Sequence, residues 1–481
     1  MADPTQPFES RRSADESEGA GRPASVAQGV LPTAAASKRS ARRNWLLLIL
    51  ALAFSGLWRP GAALAVPAYA EQTGQPCAAC HVGAFGPQLK PYGRDFKLHG
   101  YVASDGQDHG LPLAITALMS FTHTLEPQPG GAAPGFAAND NLALDQASLY
   151  YAGRITPWLG AFVQVTYEGV DDTVHIDNTD IRHASEGVLF GHDLLWGVTA
   201  NNSPTVSDAW NSTPVWGFPY NSSPLAPGPT ASTLIDGQLG QRVAGAGAYM
   251  LWNDLVYAEF DAYGGLDPAA LKATGIAPSE GPRPDGLAPY GRLAVVEDWK
   301  QSHLEIGAYG MTANVIPAGL PASGSTDQLT DLATDATYQY IFDPSKVTSD
   351  MISAHATVIH EWGSTPASEA FFGALPNHWL TTARADVSYS FAATITPSLQ
   401  IFQTTGSADP AYWATPNGSP DTRGMIMEIA YVPWGKPDSP VQGMNARLAV
   451  QYVDYFCFDG SRQGASRNNS LYVSLWTAVR F

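Results

Sequence analysis

LYVSLWTAVRF, residues 471–481, alternates in polarity from its first residue to its last. One face of this run is mainly apolar and carries Leu471, Val473, Leu475, Thr477, Val479 and Phe481. Because successive side chains point to opposite sides of a strand, the run predicts a β-strand with one apolar face. Such a strand with an aromatic carboxyl-terminal residue is typical of the strand that closes an outer-membrane barrel, so the segment favours that fold.

The same alternation recurs along the chain from about residue 111, for example in 159–168, 382–389 and 447–452. The pattern predicts sixteen strands, near 113–125, 144–155, 159–168, 176–183, 189–199, 240–252, 254–265, 288–297, 301–311, 330–341, 351–361, 379–391, 398–404, 423–432, 445–456 and 471–481. A soluble β-sandwich would have the same period of two residues, so periodicity alone does not identify the surrounding solvent.

Connection lengths separate these two folds. The predicted strands are joined alternately by short links, such as 156–158 and 298–300, and by long ones, such as 200–239 and 266–287. Outer-membrane barrels have an even number of strands, short periplasmic turns and longer outer loops. We therefore predict a mainly β fold, an antiparallel outer-membrane β-barrel of about 16 strands over 111–481. The Pro-, Asn- and Trp-rich segment 200–239 is expected to emerge on the outer side and to fold into the lumen.

The composition excludes one class of partner. The 481 residues carry 26 Lys and Arg against 44 Asp and Glu, for a formal charge of −18. Nucleic acid, which is bound through its phosphates, is therefore not an expected partner. Charged residues make up only 15% of the chain, below the ~25% of ordinary soluble domains. No segment after residue 111 reaches the ~20 continuous apolar residues of a membrane-spanning helix.

The first 65 residues have the pattern of an export signal with a long N-terminal extension. Residues 1–43 are polar and end in a basic cluster, an apolar run extends from 45 to 58, and small residues follow at 63–65. Because the run is shorter than the ~20 residues that span a bilayer, cleavage after Ala65 is favoured over an uncleaved anchor, with Ala70 as second choice. The mature protein is expected outside the cytoplasm.

Cys77-Ala78-Ala79-Cys80-His81 is the C-x-x-C-H signature of c-type haem attachment. Two thiols three residues apart reach the two vinyl groups of one porphyrin, and the next residue places an imidazole beneath the iron. We predict one covalently attached haem c, held by Cys77 and Cys80 with His81 as the axial iron ligand. Residues 66–110 would form the monohaem cytochrome c segment. This segment is too short to bury a haem alone, so it is expected at the periplasmic end of the barrel or in its lumen.

Two other chemistries compete for this motif. A structural zinc ion needs four ligands, and the third cysteine of the chain, Cys457, stands far downstream with no assigned role. A redox dithiol would be expected in a thioredoxin-like βαβ context, which Pro76 and the Gly-rich sequence after His81 do not supply. Haem attachment is the favoured interpretation.

The distal iron ligand is less clear from the sequence. His99 is the nearest side chain that binds iron strongly, and Met119 and His123 lie further along. The alternative is that His99 is a solvated surface histidine.

Six carboxylates fall by parity on the polar faces of their strands, where they would steer cations in the lumen: Glu168, Asp261, Asp335, Glu361, Asp386 and Glu428. The alternative is that they are solvated lumen residues balanced by Arg384 and Arg447.

Five stretches of the mature chain carry a family resemblance: 72–74 (QTG), 96–101 (FKLHGY), 177–182 (DNTDIR), 201–220 and 465–472 (ASRNNSLY). On these the chain resembles the outer-membrane fused monohaem cytochrome–porins of iron-oxidising bacteria over its mature length. The resemblance implies a ferrous iron oxidase that carries electrons inward across the outer membrane. Cys77, Cys80 and His81 carry over as haem ligands, whereas no distal ligand does.

Two classes of function remain open. In the first, an oxidoreductase takes one electron from extracellular Fe(II), or from another donor, and passes it to a periplasmic carrier. In the second, a solute porin holds a structural or sensory haem. In both, lipid of the outer membrane surrounds the barrel. An apolar band of ~25 Å separates the two aqueous sides, so an outside donor requires a haem inside or against the lumen.

Overall fold

The structure, a computed structural model, describes residues 67–107, 109–279, 281–321, 324–413, 415–441 and 443–480. The predicted signal, 1–65, and the last residue of the closing strand, Phe481, lie outside these ranges. Within them, no helix has both the length and the apolar character needed to cross a membrane.

Sixteen antiparallel strands of the described chain form one closed sheet. They are β1 (Leu113–Thr124), β2 (Asn141–Thr156), β3 (Leu159–Glu168), β4 (Thr173–Leu189), β5 (His192–Asn201), β6 (Val243–Trp252), β7 (Val256–Gly265), β8 (Leu287–Asp298), β9 (Ser302–Ile316), β10 (Asp327–Ile341), β11 (Met351–Ser364), β12 (Asn377–Ser390), β13 (Ile395–Gly406), β14 (Thr422–Tyr431), β15 (Met444–Cys457) and β16 (Ser470–Arg480). A two-residue strand, Arg283–Pro284, pairs with the end of β9. Each of the sixteen predicted strands overlaps one of these.

The barrel closes through its first and last strands. β1 pairs with β2 on one side and with β16 on the other, in a register that runs from Ala114 opposite Arg480 to Thr124 opposite Ser470. Strands that are neighbours in sequence are also neighbours in the sheet, because short antiparallel connections keep them adjacent. The prediction of an antiparallel β-barrel of about 16 strands is confirmed.

Alternation along the strands sorts apolar residues to the outside of the barrel and polar residues to the inside. In β14, Glu428 and Ala430 are buried on the inner face, whereas Met427, Ile429 and Tyr431 are 39% to 53% exposed. Exposed aromatic residues also stand at the ends of strands, among them Trp158, Phe190, Trp299, Trp362, Trp379 and Phe391. An apolar outer band flanked by aromatic residues is the surface of a barrel that crosses the outer membrane.

The two ends of the barrel differ in their connections. One end has the short turns 157–158, 190–191, 253–255 and 299–301, together with the start of β1 and the end of β16. The other end has longer connections, of which 202–242 is the longest. In outer-membrane barrels the short turns face the periplasm, so we call the first end the periplasmic end.

Short helices lie outside the sheet. They are α1 (Pro67–Thr73), α2 (Cys77–Cys80) and α3 (Pro91–Leu98) before the barrel, and α4 (Pro268–Thr274), α5 (Pro366–Phe372) and α6 (Pro410–Trp413) in the outer connections. There are also single turns at Val82–Ala84, Pro214–Trp216, Leu234–Gln238 and Ala465–Asn468. Proline lies in the first turn of α3, α4 and α5, where its missing N–H costs no hydrogen bond.

The connection 202–242, which we call the lumen loop, folds into the barrel. Trp210 of this loop is 2% exposed, and its ring packs edge-on against that of Tyr257 with 4.8 Å between centroids. The guanidinium of Arg292, on the inner face of β8, lies 5.5 Å from the Trp210 ring. The predicted packing of this segment in the lumen is confirmed.

The segment 67–107 contacts the inner face of the barrel as well. Tyr101 donates a hydrogen bond from its hydroxyl to Asp180 of β4 at 2.6 Å. On the opposite wall, Arg94 donates to the side chain of Gln339 at 2.6 Å. The C-x-x-C-H motif therefore lies in a segment that is hydrogen-bonded to strands on both sides of the lumen.

Candidate functional site

The motif begins with a single helical turn. Cys77–Cys80 is helical after Pro76, and the backbone N–H of His81 donates to the Cys77 carbonyl at 2.9 Å. Residues three apart on a helical turn share a face, so the two thiols lie on one side of α2. Neither cysteine is in a disulfide. The turn therefore presents two free thiols followed directly by an imidazole.

A tight hairpin holds the His81 imidazole from behind. His81 pairs with Leu89 in an isolated antiparallel bridge, and the Val82 N–H donates to the Gln88 carbonyl at 3.0 Å. The intervening chain folds over the ring so closely that a Cβ at Gly86 would lie 3.0 Å from Cε1 of His81. Glycine permits this approach because it has no side chain. The hairpin thus fixes the orientation of the imidazole.

The periplasmic end of the barrel holds Cys77. The side chain of Asn445, on β15, donates to Cys77 Sγ at 3.3 Å and to the Ala84 carbonyl at 2.9 Å. In the turn 432–443, the Gly435 carbonyl accepts the N–H of Ala78 at 3.0 Å. A Cβ at Gly435 would overlap Cys77 Sγ, so this glycine lets the turn pack directly on the thiol.

The lumen loop reaches the same hairpin from the outer end. The side-chain oxygen of Asn211 accepts the Leu89 N–H at 2.7 Å, and its nitrogen donates to the Pro87 carbonyl at 2.9 Å. Lys97 of α3 donates to the carbonyls of Val206 and Asp208, both at 2.7 Å. The motif segment is therefore hydrogen-bonded to the turn 432–443 and β15 at the periplasmic end and to the lumen loop, which enters from the outer end.

Burial sets the protonation of the motif. It lowers the pKa of His81 to about 4, and it raises the pKa of Cys80 to about 12 against the opposing charge of Lys90. Burial also raises the pKa of Cys77. The imidazole is neutral at pH 7, which is the form that binds a metal. A redox dithiol needs a lowered thiol pKa, so these thiols do not have the electrostatics of such a pair.

The residues of the motif fit a covalent haem. Nδ1 of His81 is buried and has no hydrogen-bond partner among the described residues. Two free thiols on one helical face and a neutral imidazole are the donor set that haem c attachment requires.

Two of the six predicted lumen carboxylates are connected to the motif segment. Asp386 lies 2.9 Å from Nδ1 of His355, whose Nε2 is 3.4 Å from the side-chain nitrogen of Gln88. Glu428 accepts a hydrogen bond from Arg447, whose guanidinium lies 4.6 Å from the Phe85 ring. Each of these carboxylates thus contacts a basic side chain that also contacts the motif segment.

The other four predicted carboxylates also face inward but bond elsewhere. Asp335 accepts from Arg292 at 2.6 Å, and Glu361 accepts the Leu234 N–H of the lumen loop at 2.8 Å. Asp261 accepts from Tyr263 at 3.2 Å, and Glu168 from Gln146 at 3.1 Å. Arg447 balances Glu428 as the alternative interpretation required, whereas Arg384 pairs with Asp236 of the lumen loop.

His99 lies just after α3 and has a carboxylate at each ring nitrogen. Nδ1 is 3.0 Å from Asp95 Oδ1, and Nε2 is 3.2 Å from Glu186 Oε1. The hydrogen bond with Asp95 raises the pKa of His99 to about 9, so the ring is protonated at pH 7. The other candidates, Met119 and His123, lie on the outer face of β1, with Met119 half exposed. The assignment of His99 as the distal ligand stays a prediction from the sequence.

We expect His99→Ala to leave the visible absorption spectrum of the predicted haem unchanged at pH 7. Both ring nitrogens of His99 are held by carboxylates, and a protonated imidazole has no lone pair for iron. The measurement is the visible absorption spectrum of the purified protein, which reports the spin state of the iron, before and after the substitution. Conversion to a high-spin spectrum would instead identify His99 as the distal ligand.

Sequence reasoning missed the residues that hold the motif. Asn445, Gly435 and Gln88 have no spacing or composition that distinguishes them from ordinary turn and strand residues. Asn211 lies within the 201–220 stretch that carries the family resemblance, which is the one signal that points to it.

Comparison with known proteins gives likenesses of overall architecture. No protein-family model matches the chain, and no curated protein matches it. OmpT of Vibrio cholerae is 9% identical over 77% of this chain and 98% of its own, with a TM-score of 0.39. OmpF of Salmonella typhi is 12% identical over 76% and 96%, with a TM-score of 0.43. The anion-selective porin of Comamonas acidovorans is 10% identical over 77% and 99%, with a TM-score of 0.42.

Proposed function

We propose that this protein is an outer-membrane oxidoreductase that oxidises extracellular Fe(II) with one covalent haem c held by Cys77, Cys80 and His81. The electron leaves Fe²⁺, which becomes Fe³⁺, and passes to a periplasmic electron carrier. When bound, a haem supplies one-electron redox chemistry at its iron. The observation that carries the proposal is the C-x-x-C-H motif bonded inside a closed membrane barrel.

The barrel solves a problem of distance for this function. The apolar band of an outer-membrane barrel is ~25 Å tall, and electron tunnelling decays steeply over such a length. Asn445 and Gly435 hold Cys77 at the periplasmic end, while Asn211 of the lumen loop holds the hairpin behind His81 from the outer side. A redox group anchored here would lie within the barrel and close to a periplasmic partner.

The chain's own residues prepare the motif for this role. The hairpin 82–88 orients the imidazole, and burial keeps it neutral. Lys90 donates to the carbonyls of Ala78 and Val347, both at 2.8 Å, and thereby joins α2 to the turn 342–350. Packing from two sides excludes water from Cys77, and a dry, fixed environment lowers the reorganisation that accompanies a change of charge.

Two features support iron as the donor. The family resemblance implies ferrous iron oxidation, and the excess of 44 Asp and Glu over 26 Lys and Arg attracts cations to the protein. The lumen loop and the segment 67–107 both occupy the barrel interior, which favours an electron conduit over a diffusion pore for solutes.

The test is anaerobic addition of Fe²⁺ to the purified ferric protein in detergent. We expect the reduced haem absorption to appear on a stopped-flow timescale of seconds or less. His81→Ala should remove this reduction while the barrel stays folded. The matched control is His123→Ala, because His123 lies on the outer face of β1 and bonds to Asp140 at 2.7 Å.

The alternatives give different results in the same experiment. A haem that dithionite reduces but Fe²⁺ does not would exclude iron as donor and favour another donor. Solute flux through liposomes without any reduction by Fe²⁺ would favour a porin with a structural or sensory haem. Either outcome would overturn the proposed iron oxidation.

A further inference from the structure

Two pairs of buried carboxylates face the lumen loop, and they differ in how they are satisfied. Asp331 and Glu361 are direct partners across β10 and β11. The loop donates the Leu234 N–H to Glu361 and the Ile235 N–H to Asp331, at 2.8 and 2.9 Å. His378 also lies 3.0 Å from Glu361. This pair has protein donors aimed at it.

The second pair, Glu259 and Asp261, is much poorer in donors. The two residues are neighbours on the inner face of β7 and are 5% and 0% exposed. Both oxygens of Glu259 and Oδ1 of Asp261 have no hydrogen-bond partner among the described residues. The Tyr263 hydroxyl, at 3.2 Å from Oδ2 of Asp261, is the donor that the pair does have.

Tyrosine hydroxyls without partners face the same place. Tyr290 is directly opposite Asp261 in the register of β7 and β8, and Tyr257 precedes Glu259 on the same face of β7. Both side chains are at most 1% exposed, and within the described chain neither hydroxyl has a hydrogen-bond partner. Each ring also lies in the field of the Glu259 carboxylate.

Basic side chains lie near the pair, but among the described residues none donates a hydrogen bond to it. Arg292 is the cross-strand partner of Glu259, and its Nη2 bonds instead to Glu305 at 2.9 Å and to Asp335 at 2.6 Å, while its Nε and Nη1 have no hydrogen-bond partner in the described chain. Other buried basic side chains also lie in the electrostatic field of the pair. A buried carboxylate without a donor or a counter-charge costs several kcal/mol. No described side chain donates a charge-assisted hydrogen bond to Glu259 or to Asp261, so a cation bound directly to their oxygens would stabilise the pair.

We propose that a hard divalent cation binds between Glu259 and Asp261, with the hydroxyls of Tyr257 and Tyr290 beside it. Carboxylate and hydroxyl oxygens are ligands that such cations prefer, and two carboxylates with water complete a common binding arrangement. Nowhere in the described residues do three His, Cys, Asp or Glu side chains converge as a metal site, so two carboxylates are the charged ligands here. The cation would lie under the lumen loop, where Trp210 packs on Tyr257. This site is independent of haem attachment.

The test uses the full chain without haem, as the Cys77→Ala/Cys80→Ala variant refolded in metal-free detergent, with Mn²⁺ as probe. We expect about one Mn²⁺ per chain by electron paramagnetic resonance. Glu259→Gln should weaken this binding at least about tenfold, because it removes one of two charged ligands. The matched control is Asp327→Asn, because Asp327 is an inward carboxylate that accepts hydrogen bonds from Ala367 and Ser368 and its loss should leave the affinity unchanged.

Competition then identifies the class of cation. Displacement of Mn²⁺ by anaerobic Fe²⁺ would make the site a holding place for the proposed substrate, and displacement by Ca²⁺ or Mg²⁺ alone would make it structural; both results support the site. Folded protein, judged by its heat-modifiable gel mobility, that binds no Mn²⁺ would overturn the proposal and leave a shared proton as the balancing charge. Equal loss of Mn²⁺ binding in Glu259→Gln and Asp327→Asn would overturn it too. Neither result bears on iron oxidation at the haem.

Discussion

Alanine at both Cys77 and Cys80 should abolish haem-linked peroxidase staining of the denatured polypeptide, and Cys457→Ala should leave that staining intact. Thioether bonds survive denaturation whereas an axial ligand does not, so staining after denaturation reports covalent attachment. Cys457, the last residue of β15, is a suitable control because its thiol is also buried and is not in a disulfide. The thiol donates a hydrogen bond to the Asp421 carbonyl at 3.3 Å.

Single substitutions refine this expectation. Cys77→Ala or Cys80→Ala alone should leave at most one thioether and weaken the stain. A wild-type protein whose stain disappears on denaturation would contradict covalent attachment. Stoichiometric zinc in the purified protein would support a structural zinc site. A disulfide that can be reduced and reoxidised would support a redox dithiol.

The double variant should still form the barrel. Cys77 and Cys80 belong to α2, which lies outside the sheet, and the strands that close the barrel pair through backbone hydrogen bonds. Heat-modifiable gel mobility in detergent checks this point. Loss of haem and loss of the barrel are therefore separable results.

The strands could be predicted from the sequence because one face of each contacts lipid. A lipid-facing surface requires apolar residues at every second position, and the run 471–481 has this pattern almost without interruption. The same parity correctly assigned inward positions to residues such as Asp386 and Glu428. Register errors would have moved these side chains to the membrane, so the pattern specifies the register strongly.

The strand ends were predicted less well. The fourth strand was expected over 176–183, whereas β4 extends over Thr173–Leu189. Beyond Arg182 the sequence His183-Ala184-Ser185-Glu186-Gly187 has no apolar alternation, and pairing with β5 across the two-residue turn 190–191 extends the strand. Backbone hydrogen bonds to β5 make these residues part of the strand, and the side-chain pattern carries no signal of such bonds.

The environment of the motif could not be predicted from the sequence. Asn445 contacts Cys77 across 368 positions of the chain, and Asn211 contacts Pro87 across 124. Such contacts depend on closure of the barrel and on the path of the lumen loop. The three proposed haem-attachment residues could be identified from the sequence because haem attachment requires a fixed local spacing. The residues that contact them in the fold follow no such spacing rule.

Arg292→Leu should lower the free energy of unfolding by about 3–5 kcal/mol, which is the typical cost of leaving buried carboxylates without their counter-charge. Arg292 is 1% exposed, and its Nη2 bonds to Glu305 and Asp335. Asp208 of the lumen loop lies 3.8 Å away. Urea unfolding in detergent, followed by tryptophan fluorescence and gel mobility, measures the change.

Arg467→Leu is the matched control for this substitution. Arg467 lies 3.8 Å from Glu126 in an ion pair whose side chains are about 60% exposed, and exposed pairs contribute at most about 1 kcal/mol. The difference in stability between the two variants tests whether the buried ion pairs of Arg292 stabilise the barrel. Arg292 joins two strands of the wall to the lumen loop through Asp208 and the Trp210 ring. Equal unfolding midpoints for the two variants would mean that the loop is held by its other contacts and that the buried charges are balanced without Arg292.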